Sequence, residues 1–385
     1  MKNIAICFDG TWNTADAAFP TNVVKTAAMV IPTNDKSTPQ VVFYDPGVGS
    51  TRVAFGTTIN KLLGGAFGAG LMDNIERAYR FLTFNYAPGD RLFIFGFSRG
   101  AFGARSFAGL VRTCGVLRRN NIGQVKEAIN VYRNRDPNDP LKADAPACVK
   151  FRRENSVASF RGGAGGERQL HSLTIEYMGI WDTVGSLGVP ANFLFASYFN
   201  RKYLFHNQGL SSMVKNARHA VSIDERRRTF APTLWDNLDE RNANAIPAVA
   251  NMPPYQQAWF PGDHASVGGG GDVNGLWQAS LVWVVEGAQL LGLGMDETLL
   301  NEYRRDIDYT KSVNSMGKPA FSLSSLSARR WRDGPNGSAL ADVADIAQLR
   351  IKATADNLDE RQFYRPQSLK TFAGKFAGQL GITWQ

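Results

Sequence analysis

Cysteine and histidine are scarce in this chain of 385 residues, which contains three cysteines and four histidines. Cys7, Cys114 and Cys148 are too few and too widely spaced for a disulfide framework or a structural zinc site. We therefore expect a reducing, intracellular folding environment, with Cys7 and Cys114 in the core because both stand in apolar segments. No cluster of ligating residues indicates a metal, and the sequence predicts no cofactor.

Long apolar runs are also missing. The N-terminus has no signal-peptide pattern, because Lys2 is followed at once by a short strand-like run that ends at Asp9. The longest apolar candidate, residues 276–293, is interrupted by three polar side chains and predicts a core helix rather than a membrane span. These features predict a cytoplasmic protein, with export by a signal-independent secretion system as the alternative.

Acidic residues are outnumbered by basic ones, 34 to 43, which gives a formal net charge of +9. Such a balance permits contact with an anionic membrane surface, such as phospholipid head groups. The basic residues form short clusters without a long tract, so we expect no nucleic-acid partner. These clusters are Arg118-Arg119, Arg152-Arg153, Arg226-Arg227-Arg228 and Arg329-Arg330.

Short apolar runs alternate with helical patterns along most of the chain. Strands are predicted at 4–8, 41–44, 92–95, 173–180, 219–223 and 257–260, and helices at 23–31, 71–82 and 101–114. Unbroken apolar strands separated by helices are typical of a parallel sheet that is covered on both faces. The sequence therefore predicts an α/β fold with a mainly parallel central sheet.

Ser98 stands in Gly96-Phe97-Ser98-Arg99-Gly100, directly between an apolar strand and a helical stretch. This is a G-x-S-x-G nucleophile elbow in its expected strand–turn–helix context. The glycines leave room for a strained turn, and the N-terminus of the following helix favours developing negative charge. The alternative is an ordinary glycine turn that carries a solvent-facing serine.

A serine nucleophile needs a base within hydrogen-bond reach. His264 follows the strand at 257–260 in a glycine-flanked loop, at the edge where open α/β sheets place their sites. The other histidines are less suited by position: His171 precedes a strand, His206 stands in an aromatic insertion and His219 starts a strand. His264 is therefore the predicted base.

The base in turn needs an orienting carboxylate. Asp182 ends the strand at 173–180 and is the favoured candidate, while Asp224 after the next strand is its rival. The order Ser98, Asp182, His264 is the chain order of α/β-hydrolases.

An oxyanion hole requires two N–H donors. The backbone of Arg99 is one candidate, and Gly10 or Thr11 in the loop after the first strand supplies the other. This loop also resembles the opening motif of haloacid-dehalogenase-type phosphatases. That chemistry requires an aspartate two residues before Asp9, where this chain has Cys7, so a phosphatase is disfavoured.

Two stretches interrupt the α/β pattern, residues 118–170 and the aromatic-rich 190–216, within a single predicted domain 1–385. Both are predicted to emerge at the carboxyl edge of the sheet as cap insertions. The second insertion either shapes an apolar acyl pocket or packs on its own core. Residues 295–385 are predicted to form a helical C-terminal extension on the main core.

Six sequence blocks resemble the DUF2235 family of α/β-hydrolases, which includes the Tle1-type phospholipase effectors of type VI secretion. The blocks are FDGTWN (8–13), YDPGVGS (44–50), GFSRGAFGAR (96–105), GIWDTVGSLG (179–188), SIDERRRTFAPTLW (222–235) and PGDHASVGGG (261–270). The resemblance implies an α/β-hydrolase fold with cap insertions and a Ser98–Asp182–His264 triad. One position departs, because the family commonly has aspartate where this chain has Ser266.

Together these features predict a serine hydrolase of carboxylic esters, acting on lipid or phospholipid acyl chains through an acyl-enzyme. An acyltransferase on the same triad, or a non-catalytic relative that binds a membrane or partner, are the alternatives. The expected partners are an ester or lipid substrate, an anionic membrane surface and, for an effector, an immunity or secretion protein.

Overall fold

A parallel sheet of six strands forms the centre of the protein. The computed structural model describes residues 1–11, 13–47, 66–135, 142–161, 170–185, 209–227, 230–250, 252–313 and 342–384. Their strands are β1 (Asn3–Phe8), β2 (Gln40–Asp45), β3 (Arg91–Phe97), β4 (Val116–Leu117), β5 (Ser156–Ser159), β6 (His171–Ser172), β7 (Ile175–Trp181), β8 (Ala217–Ser222) and β9 (Tyr255–Phe260).

The central sheet has the order β2-β1-β3-β7-β8-β9, and every neighbouring pair in it is parallel. The three short strands form a separate sheet of order β4-β5-β6. The predicted α/β class with a parallel sheet is thereby confirmed. Both ends of each of the six predicted strands lie within two residues of the ends of an observed strand.

Helices connect the strands and cover both faces of the sheet. They are α1 (Asn22–Met29), α2 (Ala66–Asn85), α3 (Arg99–Cys114), α4 (Val125–Asn134), α5 (Pro146–Asn155), α6 (Leu238–Ala243), α7 (His264–Gly268), α8 (Leu276–Leu290), α9 (Glu297–Arg305), α10 (Asp345–Lys352) and α11 (Ala373–Leu380). Alternate residues of a strand point to opposite faces. Thus Ile4 and Ile6 pack with α2 and α3, while Ala5 and Cys7 pack with α1 and α8.

The first predicted cap segment lies elsewhere than expected. A crossover helix returns the chain to the amino edge of a parallel sheet, so α3 delivers β4 there. The described part of this segment packs through α4 and α5 against α2 and α3. The structure therefore places it beside these helices and not above the carboxyl edge.

The second predicted cap, residues 190–216, falls mostly outside the described residues, as does His206. Of its described part, Leu210, Met213 and Val214 are buried in the core beneath β7 and β8. No helix in the described ranges is long and apolar enough to cross a membrane. The same ranges contain no group of ligating side chains suited to a metal ion.

The described C-terminal residues pack against the β8–β9 side of the sheet. Val343 pairs with Trp259, so the chain lies beside the edge strand for a short distance. An apolar cluster joins this region to the sheet; its members include Val221, Ile223, Trp259, Ile351, Leu369 and Phe376. The carboxyl ends of β8 and β9 are thereby buried beneath the C-terminal segment.

Candidate active site

Ser98 occupies a sharp turn between β3 and α3. Its backbone has φ 58° and ψ −122°, a left-handed combination that side chains with a Cβ rarely adopt. The Ser98 N–H donates to the carbonyl oxygen of Trp181 at 3.0 Å, which ties the turn to the end of β7. The serine is buried, and the strained turn agrees with the geometry of a nucleophile elbow.

Close packing explains the two glycines that flank this turn. A Cβ on Gly96 would lie 2.7 Å from the Cα of Ala101, and a Cβ on Gly100 would lie 2.2 Å from the carbonyl oxygen of Phe8. Both distances are far below van der Waals contact. The first turn of α3 can therefore pack directly on the ends of β1 and β3, with its N-terminal N–H groups beside Ser98.

Asp182 directly follows β7 and is fully buried. Its backbone also has a positive φ of 34°, and its N–H donates to the carbonyl oxygen of Ala220 at 2.7 Å. The carboxylate Oδ1 accepts the N–H of Ser222 at 2.9 Å, while Oδ2 lies 2.5 Å from Nδ1 of His264. Both oxygens are thus engaged, and one of them contacts the predicted base.

His264 begins the short helix α7, after the loop that leaves β9. Its imidazole packs between Phe97, at 4.6 Å between ring centroids, and Phe230, at 4.9 Å edge-on. An ionised carboxylate only accepts hydrogen bonds, so the contact with Asp182 places the proton on Nδ1. Nε2 is then the basic nitrogen of the ring.

All three predicted triad residues lie at the carboxyl edge of the sheet, and two of them, Asp182 and His264, are in direct contact. Asp182 and His264 are joined by a direct side-chain hydrogen bond. Ser98 is connected to them through its bond to Trp181, the residue before Asp182, and through Phe97, whose ring contacts His264. The site therefore combines a strained serine, a histidine of defined tautomer and a buried carboxylate.

The predicted oxyanion loop follows β1. Gly10 N–H donates to Oδ1 of Asp9 at 2.7 Å, so this predicted donor is already engaged. The Asp9 carboxylate also accepts from Tyr44 and Thr21, at 2.7 and 2.8 Å, and burial raises its pKa to about 6. Thr11 lies next in the loop, and its buried hydroxyl has no partner among the described residues.

Arg99 begins α3, so its backbone N–H belongs to the first turn of that helix. Its side chain is largely withdrawn from water, and burial lowers the pKa of the guanidinium to about 9. The first-turn N–H groups of a helix have no intrahelical acceptor and suit an anion. Arg99 N–H thus lies in the helix turn that directly follows Ser98.

Comparison with known proteins bears on this arrangement. Residues 2–287 match the model of a family described as "T6SS, Phospholipase effector Tle1-like, catalytic domain". The chain belongs to this family. The resemblance drawn from the sequence blocks is therefore confirmed, and all residues of the candidate site lie within the matched range of the Tle1-like domain.

The Tle1-like domain also resembles longer proteins. It is 32% identical over 244 residues to uncharacterized protein YEL023C of Saccharomyces cerevisiae, covering 60% of this chain and 32% of that protein. The chain thus spans about a third of the length of this curated relative.

Two solved structures are similar in part. A crystal structure of an uncharacterized Pseudomonas aeruginosa protein gives a TM-score of 0.42 at 17% identity, over 80% of this chain and 49% of that one. The structure of the Tle1 effector bound to the VgrG spike of the type 6 secretion system gives a TM-score of 0.36 at 20% identity. The match covers 70% of this chain and 51% of that one.

The alternative candidates for the orienting carboxylate and for the base have other contacts in the Tle1-like domain. Asp224 accepts hydrogen bonds from the Gly262 N–H and the Tyr364 hydroxyl, both at 2.7 Å, and does not orient a histidine among the described contacts. His219 lies within β8, where Nε2 accepts the N–H of Thr183 at 3.2 Å and the ring packs against Trp235. His171 lies exposed in β6.

Sequence reasoning missed the side chains that surround His264. Glu225 Oε2 accepts the His264 N–H at 3.3 Å, and Arg227 forms an ion pair with Glu225 at 2.6 Å. The Arg227 guanidinium lies 3.7 Å from the ring centroid of Phe230, which covers His264. These residues belong to the 222–235 block, whose density of charged and aromatic residues was the available signal.

Proposed function

We propose that this Tle1-like domain is a serine hydrolase with an α/β-hydrolase fold that cleaves lipid and phospholipid acyl esters. The observation that carries the proposal is the buried Asp182–His264 hydrogen bond, beside a serine in a strained strand–turn–helix elbow. Membership in a phospholipase effector family supports the choice of lipid esters among carboxylic esters.

In the acylation step, Ser98 Oγ attacks the ester carbonyl while His264 Nε2 accepts the hydroxyl proton. Asp182 stabilises the imidazolium that forms, because its Oδ2 accepts a hydrogen bond from Nδ1–H without taking the proton. The imidazolium then donates its Nε2 proton to the leaving alcohol, and the carbonyl re-forms as an acyl-enzyme. Water attacks this intermediate with His264 as base, which releases the fatty acid and restores Ser98.

The tetrahedral intermediates carry negative charge on the former carbonyl oxygen. In this mechanism the N–H of Arg99 is one donor and the N–H of Thr11 is the second. Thr11 takes the role in place of Gly10, whose N–H is held by the Asp9 carboxylate. Asp9 then positions the loop rather than the substrate.

The proposal also includes secretion of the protein and its contact with a membrane. The family description names type VI secretion effectors, so we propose delivery by such a system, with a secretion or immunity protein as partner. A net charge of +9 supports contact with an anionic lipid surface.

A panel of phospholipids and nitrophenyl esters, assayed with wild type and Ser98→Ala, tests the proposal. We expect fatty-acid release and labelling by a fluorophosphonate probe in wild type, and loss of both in the variant with an unchanged circular dichroism spectrum. Ester cleavage that survives Ser98→Ala would refute the mechanism. Transfer of the acyl group to an added alcohol in place of water would instead indicate an acyltransferase.

A further inference from the structure

The loop before His264 is held in place by its neighbours on every side. Gly262 N–H donates to Asp224 Oδ2 at 2.7 Å, and Gly262 C=O accepts from the Ser222 hydroxyl at 2.7 Å. Asp263 N–H donates to the carbonyl oxygen of Val313 at 2.8 Å. Two of the anchors that fix His264 at the start of α7, Asp224 and Val313, in turn contact the C-terminal segment.

Both anchors are controlled by the described C-terminal segment, residues 342–384. The Tyr364 hydroxyl donates to Asp224 Oδ2 at 2.7 Å, the same oxygen that receives the Gly262 N–H. Glu360 Oε1 accepts the Val313 N–H at 2.8 Å, and Glu360 also pairs with Arg350. The segment thus contacts the catalytic loop through one side chain at each anchor.

Arg350 links the two anchors. Its guanidinium donates to the carbonyl oxygen of Lys311 at 2.6 Å and also to that of Tyr309, and it lies 5.0 Å from the ring centroid of Tyr364. The side chain is fully buried in the core between the C-terminal segment and residues 309–313. One buried cation therefore joins the Tyr364 anchor to the Val313 anchor.

We infer that residues 342–384 position the proposed base His264, with Tyr364 acting through Asp224 and the Gly262 backbone. The inference rests on the proposed role of His264, and it assigns a function to a segment beyond residue 287, where the family match ends. Tyr364 and Asp224 are positioning residues. Two hydrogen bonds converge on Oδ2, so removal of the tyrosine hydroxyl frees the carboxylate to reorient and releases the Gly262 N–H.

The test uses Tyr364→Phe in the full chain with Tyr79→Phe as the matched control. Tyr79 is also buried, and its hydroxyl donates to the carbonyl oxygen of Gly115 at 2.8 Å, away from the site. The first readout is the downfield proton-NMR resonance of His264 Nδ1–H, assigned by its loss in Asp182→Asn. The second readout is kcat and KM for the best ester of the panel.

We expect Tyr364→Phe to shift or broaden the His264 resonance and to lower kcat by about tenfold, with KM changed by less than about twofold. Tyr79→Phe should leave the resonance and kcat unchanged at a similar loss of stability. An unchanged resonance in Tyr364→Phe, or an equal change in Tyr79→Phe, would overturn the inference. Because the resonance requires no turnover, an inactive wild type would refute the proposed function separately.

A second pair of variants covers the case in which Tyr364→Phe fails to fold. Asp224→Asn keeps an oxygen that can accept from Gly262 and Tyr364, whereas Asp224→Ala removes it. The inference predicts that the His264 resonance changes more in Asp224→Ala than in Asp224→Asn. Equal changes in the two variants would contradict it.

Discussion

The strained backbone of Ser98 predicts an unusual response to glycine. Ser98→Ala and Ser98→Gly both remove the proposed nucleophile, but alanine keeps the Cβ that disfavours φ 58°, ψ −122°. Glycine adopts such positive-φ conformations without this steric cost. The difference in stability between the two variants therefore measures the strain stored in the elbow, with catalysis absent from both.

The expected size follows from two opposing effects. A non-glycine residue in a sparsely populated conformation costs about 1–3 kcal/mol. Glycine loses more chain entropy on folding, which costs roughly 0.5–1 kcal/mol relative to alanine. Ser98→Gly should thus be more stable than Ser98→Ala by about 1 kcal/mol. At Asn130, exposed in the middle of α4, the same alanine-to-glycine change should destabilise by about 1 kcal/mol.

Urea unfolding followed by tryptophan fluorescence compares the two pairs under identical conditions. We expect differences of opposite sign. At position 98 the glycine variant should be more stable than the alanine variant, and at position 130 the alanine variant should be the more stable one. If glycine lowers stability at position 98 as much as it does at position 130, the elbow stores no strain and this argument for a nucleophile fails. Esterase assays on both Ser98 variants should give no activity.

Three further predictions concern the same edge of the sheet. Asp182→Asn should lower kcat by about 10⁴-fold, because an amide that donates to Nδ1 of His264 favours the wrong tautomer; activity within tenfold of wild type would contradict this. Gly100→Ala should destabilise by about 3 kcal/mol or more in urea unfolding, because its Cβ would meet backbone at 2.2 Å; Gly123→Ala, with open space around it, should have little effect. Asp9 has its pKa raised by burial from its ordinary value to about 6, so folding favours its protonated form. Its stabilising contribution is present below about pH 4 and is lost as the pH rises through 6, by about 3 kcal/mol. Urea unfolding at pH 4 and pH 7.5 should show a loss of stability that is about 3 kcal/mol larger in wild type than in Asp9→Asn, and parallel pH profiles of the two proteins would refute it.

Much of the architecture could be predicted because the strands are buried on both faces. Continuous apolar runs such as 92–95 have few other ways to fold between amphipathic helices. Open α/β sheets place their sites at the carboxyl ends of the strands, and this rule identified Asp182 and His264 as candidates. Their side chains lie in hydrogen-bond contact. Local pattern and parallel topology together therefore carry most of the information about the site.

The remaining features depend on contacts that sequence patterns do not encode. Gly10 N–H is held by the neighbouring carboxylate of Asp9, which depends on one side-chain rotamer and its burial. Tyr364 contacts Asp224 across 140 positions, and nothing near either residue in the sequence indicates the other. The position of the described residues that follow β4 could have been predicted, because a crossover helix ends at the amino edge of a parallel sheet, but from the sequence we expected them at the carboxyl edge.

The two strained residues of the site are linked by the order of the strands. Ser98 and Asp182, both with positive φ, directly follow the neighbouring strands β3 and β7. Each donates its N–H to a carbonyl oxygen of the next strand, Ser98 to Trp181 in β7 and Asp182 to Ala220 in β8. A strained turn persists when its surroundings over-determine it, and here the surroundings are the sheet itself. The geometry between the proposed nucleophile Ser98 and the proposed orienting carboxylate Asp182 is therefore set by strand spacing. His264 enters from a loop after β9, so its position depends on Asp224, Glu225 and the C-terminal segment.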